Sequence, residues 1–289
     1  MRNFLFYRGT GFFKNQHNLE IYSVIQNFTQ MKNKFLVLCA FVLACSFTML
    51  KTRPTIYIIG DSTVRNGSGA GSDGLWGWGS FMDKQFDTVK IHVENHDIGG
   101  RSSRTFLTEG RWDKIMTKLK KGDYVIMQFG HNDGGAINDT SRARGSIKGI
   151  GNESEEIDNL LTKKHEIVHS YGWYMRKYVQ ETQEKGATPI VCSLVPRNVW
   201  KNGKVERAGQ SYGLWAKQIA EENKAYFIDL NEVVAAKYEE LGKENVEKFF
   251  PKDHTHPNYE GSKLTAQIVS EQIQQLKKCK LKKLLNKRI

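Results

Sequence analysis

Residues 250 to 261 read FPKDHTHPNYEG, which puts one carboxylate and two imidazoles, Asp253, His254 and His256, within four positions. The whole chain holds eight histidines, so this short loop concentrates acid–base chemistry. Three chemistries use such a cluster: a metal centre, a catalytic acid–base pair, or a polar loop with no reaction to run. A metal needs three or four convergent ligands, and an HxH with one aspartate is only a start. His96 and His131 sit in other loops. An acid–base pair needs a partner to activate, and GDSTV at residues 60 to 64 offers one in Ser62. A serine hydroxyl is a poor nucleophile at its own pKa and requires a base, and that base works best when an acid fixes its tautomer. Asp253 and His256, three apart in a loop before a helix opened by Pro257, can fold so that the carboxylate meets Nδ1 and Nε2 faces Ser62. His254 has no such geometry if it points the other way.

The remaining chemistry-bearing residues follow apolar runs. Gly60 lets the chain turn sharply after TIYIIG and presents Ser62 where backbone N–H groups can hold an oxyanion. Asp and Ser also cap helices for purely structural reasons, so GDS alone is weak. VKIHVEN is followed by HDIGGRSSRTF, whose Gly99-Gly100 pair either makes a tight turn or leaves an N–H uncovered. DYVIMQFG runs into HND, which puts the Asn132 amide just past a strand.

Those runs are the elements that must position the chemistry. TIYIIG (55–60), VKIHVEN (89–95), DYVIMQFG (123–130), TPIVCSLV (188–195) and AYFIDL (225–230) read as five strands, several apolar on both faces. Strands of that kind want helices on either side. Helical patterns fill the gaps at about 76–86, 111–120, 164–185, 209–223, 231–241 and 258–276. The alternation predicts an α/β fold, a three-layer α/β/α sandwich on a parallel sheet, with sites outside the carboxyl ends of the strands. Residues 134–163 break the rhythm. They are polar, Gly-rich and poorly periodic, and a connection that long is more often functional than idle. The tail, KKCKLKKLLNKRI (277–289), reads as a solvated extension of the last helix.

Taken together these blocks resemble the SGNH (GDSL-like) hydrolase superfamily: GDS at Ser62, a glycine at Gly100, an asparagine at Asn132 and DxxH at Asp253 and His256, in the family's order. IIGDSTV, GGRSSRTF, FGHND and DHTHPN resemble more closely the rhamnogalacturonan acetylesterases among the pectin-degrading carbohydrate esterases. The resemblance spans about 55 to 275 and implies a flavodoxin-like five-stranded parallel sheet. It implies Ser62 as nucleophile, His256 as base, Asp253 as its orienting acid, and an oxyanion hole from the N–H groups of Ser62 and Gly100 with the Asn132 amide. Thr63 stands where lipolytic members often carry Leu, which fits the acetylesterase branch. Complete blocks argue against a retired, purely carbohydrate-binding site. The reaction implied is hydrolysis of acetyl esters on rhamnogalacturonan. Xylan or small acetylated sugars are the alternative substrates. No cofactor and no metal are implied. GAGSDG (69–74) matches the dinucleotide pattern G-x-G-x-x-G, but it starts about ten residues after the strand rather than on it.

A pectic backbone carries uronic acids, so its groove should offer aromatic faces and a cation. Arg65, Arg101, Arg104, Arg142 and Arg144 lie in the site-facing loops, as do Trp76, Trp78 and Trp200; Arg101, Arg104, Arg142, Trp200 and His254 are taken as the substrate-facing candidates. Each also has a structural reading: Trp76 and Trp78 as core, Arg104 as a brace for a loop.

The formal charge of +12 invites a nucleic-acid partner, but the excess is terminal. Residues 1–53 carry 7 Lys and Arg against 1 acid, and 277–289 carry 7 against none, leaving 29 basic and 30 acidic residues in 54–276. The body is near neutral, which argues against a phosphate-tracking surface. MKNKFLVLCAFVLACSFTML (31–50) has the charged, apolar and small-residue layout of a secretory signal and an apolar run too short for a comfortable membrane span. Met31 then reads as the true start, residues 1–30 as an over-extended N-terminus, and 54–276 as one hydrolase domain of a secreted or periplasmic protein with no stable membrane span once mature. VLAC loosely resembles a lipoprotein processing site, which leaves a lipid-anchored form open. Cys39 and Cys45 fall in that segment. Cys192 reads as a buried small hydrophobe, Cys279 lies in the tail, and no disulfide is needed.

Overall fold

The computed structural model describes residues 26–32, 34, 53–65 and 71–286. Two units separate between Thr52 and Arg53. In the first, residues 26–32 and 34 are helical, and most of the expected export segment 31–50 lies outside the described residues, as do residues 66–70 of the glycine-rich stretch.

The second unit is built on five parallel strands in the order β2-β1-β3-β6-β9: β1 (Thr55–Gly60), β2 (His92–Asn95), β3 (Tyr124–Gln128), β6 (Thr188–Cys192) and β9 (Tyr226–Ile228). The strand period of two divides the apolar residues between two cores. Ile56, Ile58, Ile126, Ile190 and Ile228 face one core with α5 (Leu230–Leu241), α6 (Lys243–Glu247) and α7 (Tyr259–Gln275), while β7 (Trp200–Lys201) and β8 (Lys204–Val205) form a separate antiparallel pair. Tyr57, Ile59, Val125, Met127 and Val191 face the other with α1 (Ser103–Thr108), α2 (Arg111–Met116), α3 (Tyr171–Glu184) and α4 (Tyr212–Glu222). Strands apolar on both faces thus produce the expected three layers.

Four expectations are corrected. The segment 76–86 is not a helix but two 3-10 turns, Trp78–Phe81 and Asp83–Gln85. Its backbone donors go to the turn after β1 instead, Trp78 N–H to the Thr63 carbonyl (3.0 Å) and Gly79 N–H to that of Val64 (2.9 Å). A Cβ on Gly77 would lie 2.2 Å from the Val64 carbonyl carbon, so this approach requires glycine. Residues 165–169, read as the start of a long helix, form β5 (His165–His169), paired antiparallel with β4 (Ser154–Asp158) inside the long connection. Ser170 then caps α3 by accepting from the Trp173 N–H. The helix expected at 111–120 is short, and α1, with a Ser102–Thr105 capping box, precedes it. Finally, 277–286 does not extend α7. Leu276 turns extended, Lys280–Leu284 forms a 3-10 turn with Cys279 and Leu281 buried, and Asp87 N–H donates to the Leu284 carbonyl. Among the described residues no helix is long and apolar enough to cross a membrane.

Candidate active site

The carboxyl ends of β1, β2 and β3 and the loop before α7 converge on Ser62. Behind Gly60 the chain has no room for a side chain: a Cβ there would lie 2.4 Å from the Gln128 carbonyl oxygen and 2.6 Å from Val64 Cγ2. The turn that follows is held from beneath by a buried relay of hydrogen bonds. Trp78 Nε1–H donates to Gln128 Oε1 (2.9 Å), Gln128 Nε2 to Thr63 Oγ1 (2.7 Å), and Thr63 Oγ1 to Asp61 Oδ1 (2.8 Å). A leucine in place of Thr63 could neither accept from Gln128 nor donate to Asp61, which gives a physical reason for threonine here.

Ser62 Oγ lies 2.8 Å from His256 Nε2. On the other side of the ring, Nδ1 is 2.8 Å from Asp253 Oδ2, so Nδ1 carries the proton and donates. Nε2 then presents its lone pair to the serine hydroxyl. Asp253 is fixed in turn by backbone N–H groups of Thr255 (2.6 Å) and His256 (2.8 Å), both donating to Oδ1. Partial burial pushes its carboxyl up, but the bonds from the His256 ring and these N–H groups outweigh that and hold it below the usual range. The loop itself is pinned by Asn198 N–H on the His254 carbonyl (2.7 Å), Trp76 N–H on that of Pro257 (2.9 Å), and the Asn258 cap of α7.

Opposite this pair stand Gly100 and Asn132. Gly100 has φ +84°, where L side chains are strained. The N–H groups of Ser62 and Gly100 have no acceptor among the described residues. Asn132 Nδ2 gives one N–H to the Arg101 carbonyl (2.8 Å), which fixes the amide plane and leaves its second N–H over. Backbone N–H groups and a side-chain amide are the kinds of donor that can bind the oxygen of a tetrahedral intermediate.

Beneath the site are three buried acids. Asp61 accepts from Thr63 N–H, Thr63 Oγ1 and His131 Nδ1 (3.1 Å); burial works against its charge, and His131 and Thr63 overcome it, so its carboxyl lies below the usual range. Asp97 has neither oxygen in a well-formed hydrogen bond. Its nearest donors are the N–H groups of Ile98 and Arg65, and the latter already serves the Asp61 carbonyl. Burial, with the neighbouring Asp61 charge, holds its carboxyl well above the usual range. Asp133 accepts from Ser103 N–H, Ser103 Oγ and Ser146 Oγ, and burial still lifts its carboxyl to about 6.

The substrate-facing candidates separate. Arg104 is withdrawn: its side chain is fully buried, with Nε and Nη2 on the two Glu166 oxygens (2.7 Å each) and Nη1 on the carbonyls of Ile137 (2.7 Å) and Gly145 (2.8 Å). It braces the long connection. Arg101 is engaged with Glu109 (3.0 Å) and the Gly99 carbonyl. Trp200 packs on the core and donates to Asn198 Oδ1 (2.7 Å). His254 and Arg142 are exposed. His254 lines a cleft of about 200 Å³ with His131, Val195 and Arg197. A larger cavity of about 580 Å³ lies elsewhere, between Lys84, Gln85, α7 and Lys282. Sequence reasoning weighed His131 only as a metal ligand, because its pairing with Asp61 depends on two strand ends meeting. It passed over Arg197, which follows a strand with no motif around it. Among the described residues no three His, Cys, Asp or Glu side chains converge as metal ligands would.

Residues 58–264 match the model of the GDSL-like Lipase/Acylhydrolase family. The chain is 34% identical to the rhamnogalacturonan acetylesterase of Emericella nidulans over 212 residues, 73% of this chain and 81% of that protein. It is 31% identical to the probable rhamnogalacturonan acetylesterase YesY of Bacillus subtilis over 226 residues, 76% and 93% of the two chains. The crystal structure of Bacillus subtilis YxiM superposes with TM-score 0.63 at 26% identity, covering 78% of this chain and 57% of that one. The chain belongs to the GDSL-like lipase/acylhydrolase family and is a carboxylic ester hydrolase.

Proposed function

We propose that this protein is an exported acetylesterase that removes acetyl groups from rhamnogalacturonan. The chemistry rests on one observation, the line from Ser62 Oγ through the His256 ring to Asp253 with 2.8 Å at each junction. The substrate rests on the two relatives above 30% identity, both named for that activity. In this reading Ser62 Oγ attacks the acetyl carbonyl while His256 Nε2 takes the hydroxyl proton. The oxyanion is held by the N–H groups of Ser62 and Gly100 and by the Asn132 amide. Collapse breaks the bond to the sugar oxygen, which leaves with the proton from His256. Water, deprotonated by the same imidazole, then attacks the acetyl-serine and releases acetate. Asp253 stabilises the imidazolium at each stage.

Export is supported by the charged, apolar and small-residue layout of residues 31–50. N-terminal sequencing of the protein recovered outside the cytoplasm tests it: a start within the residues just after 44 is expected, and an intact Met1 sinks it. The activity is tested by acetate release from acetylated pectic fragments and from acetylated xylan, with wild type and Ser62→Ala. Release from the pectic fragments by wild type alone is expected. Equal release by both proteins would end the serine mechanism, and wild-type release from xylan but not from pectic fragments would overturn the substrate.

A further inference from the structure

The loop between Asp139 and Gly145 is built to hold one arginine against the oxyanion glycine. The Asp139 carboxylate accepts from the N–H groups of Ser141 (2.8 Å), Arg142 (2.6 Å) and Ala143 (2.9 Å), and these bonds draw its carboxyl down to about 2. Ala143, a non-glycine residue, is buried at φ +39°, a strained conformation that persists only where the surroundings impose it. At the loop's base Gly145 N–H donates to the Ala136 carbonyl (2.8 Å), and a Cβ on Gly145 would lie 2.0 Å from the Gly135 oxygen. The buried Arg104 fork closes the same base through the carbonyls of Ile137 and Gly145. The outcome is the position of Arg144, which lies along Gly135 and donates from Nη1 to the Gly100 carbonyl (3.0 Å).

That guanidinium is half-buried and forms no ion pair among the described residues. Gly100 O takes a single N–H of the five a guanidinium offers. Burial and the adjacent Arg142 both work against its charge and pull it below the usual arginine range, while Asp61, Asp133 and Asp139 pull the other way. A partly desolvated cation with donors to spare, bound to the carbonyl of Gly100, asks for an anion from outside the chain.

We propose that Arg144 binds the carboxylate of a uronic acid residue in the substrate and so sets the preference for acidic over neutral acetylated glycans, an inference that rests on the pectic reading above. A planar fork suits a planar carboxylate, and a charge-assisted pair of this kind contributes about 10- to 100-fold in affinity. Because Arg144 also holds the Gly100 carbonyl, its loss lowers turnover on every ester, charged or not. The two roles separate by substrate.

The test compares acetylated rhamnogalacturonan oligosaccharides with the same oligosaccharides after reduction of their carboxyl groups to alcohols, using wild type and Arg144→Gln. Wild type should lose about 10- to 100-fold in kcat/KM on the reduced substrate, mainly through KM. In Arg144→Gln the two substrates should become equivalent within about twofold. Wild type that treats both substrates alike, or Arg144→Gln that keeps the full preference, overturns the inference while leaving the acetylesterase reading intact. Failure of wild type to release acetate from either oligosaccharide removes the reading itself. If Arg144→Gln does not fold, Arg144→Lys is measured the same way: it keeps the charge without the fork and should retain only part of the preference, and full retention overturns the bidentate role.

Discussion

Replacing Asn132 by alanine is predicted to slow turnover about a thousandfold while leaving KM within a few-fold of wild type. The side chain is nearly buried just past the end of β3, and its amide serves two purposes. The N–H not given to Arg101 is the proposed third donor to the oxyanion. A preorganised donor aimed at charge that develops only in the transition state is worth roughly 3 kcal/mol. The N–H on the Arg101 carbonyl at 2.8 Å anchors the Arg101–Ser102 peptide, one residue past Gly100, and a neutral hydrogen bond of that kind contributes about 1 kcal/mol. If losing the anchor loosens the Gly100 N–H as well, both losses fall on the transition state. Together they come to about 4 kcal/mol, near three decades in rate.

Steady-state kinetics on a small activated acetate ester and on an acetylated oligosaccharide, with a thermal melt to confirm folding, separates the effects. Loss confined to kcat on both substrates is expected, because uniform ground-state binding does not pass through this amide. A folded variant that loses less than tenfold in kcat refutes the assignment, as does one that loses only in KM.

Three further outcomes follow from the geometry. His256→Ala should abolish measurable turnover and His254→Ala should mainly weaken it, since only the first ring reaches Ser62; equal losses would mean the base is misassigned. Asp133, lifted to about 6 from an ordinary value near 3.8, makes the folded state bind a proton the unfolded chain has released between those pH values. Stability should therefore fall as pH rises from about 4 to about 6, by on the order of 3 kcal/mol, and denaturant titrations of Asp133→Asn should show a flatter profile over that window than wild type. Leu281→Ala should destabilise the protein by about 2 to 5 kcal/mol because that side chain is buried, whereas a solvated tail would show no change in the denaturant midpoint.

What could be read in the sequence depended on the range of the interaction. The five strands and their shared carboxyl-terminal edge were legible because two apolar faces leave a run such as TIYIIG no other place to go. The catalytic loop was legible because Asp253 and His256 are three residues apart and their bond is local. What was not legible depended on partners far along the chain. The segment 76–86 has helix-like spacing, yet Trp78 and Gly79 give their N–H groups to a turn that precedes them by more than a dozen residues. The long connection looked featureless because β4 has one buried side chain in five and pairs only with a β5 hidden in a helical pattern. The sequence reading favoured Arg104 over Arg144 as a substrate contact, and the structure reverses the order. Glu166, across the connection, buries one and leaves the other without a carboxylate partner.

Two aspartate–histidine pairs flank Ser62, and their contrast shows what a base requires beyond a carboxylate. His131 is joined to Asp61 at 3.1 Å, and its other nitrogen lies 3.0 Å from the Val195 carbonyl. Both partners are acceptors, so neither ring nitrogen faces a hydroxyl that could give it a proton. The ring is also buried, with a side-chain exposure of 3%, between the ends of β1, β3 and β6. His256 has the same carboxylate arrangement at Nδ1, yet its Nε2 faces a hydroxyl, which can give up a proton, and its side chain is 27% exposed. The inner pair ties the Ser62 turn to the neighbouring strands through both ring nitrogens, while the outer pair keeps one nitrogen facing the hydroxyl. Replacing Asp61 by asparagine should therefore act through the placement of Ser62, lowering stability and kcat without moving the acid limb of the pH–rate profile. Asp253→Asn should cost a comparable or larger share of kcat and move that limb, since it alters the ring that titrates during turnover.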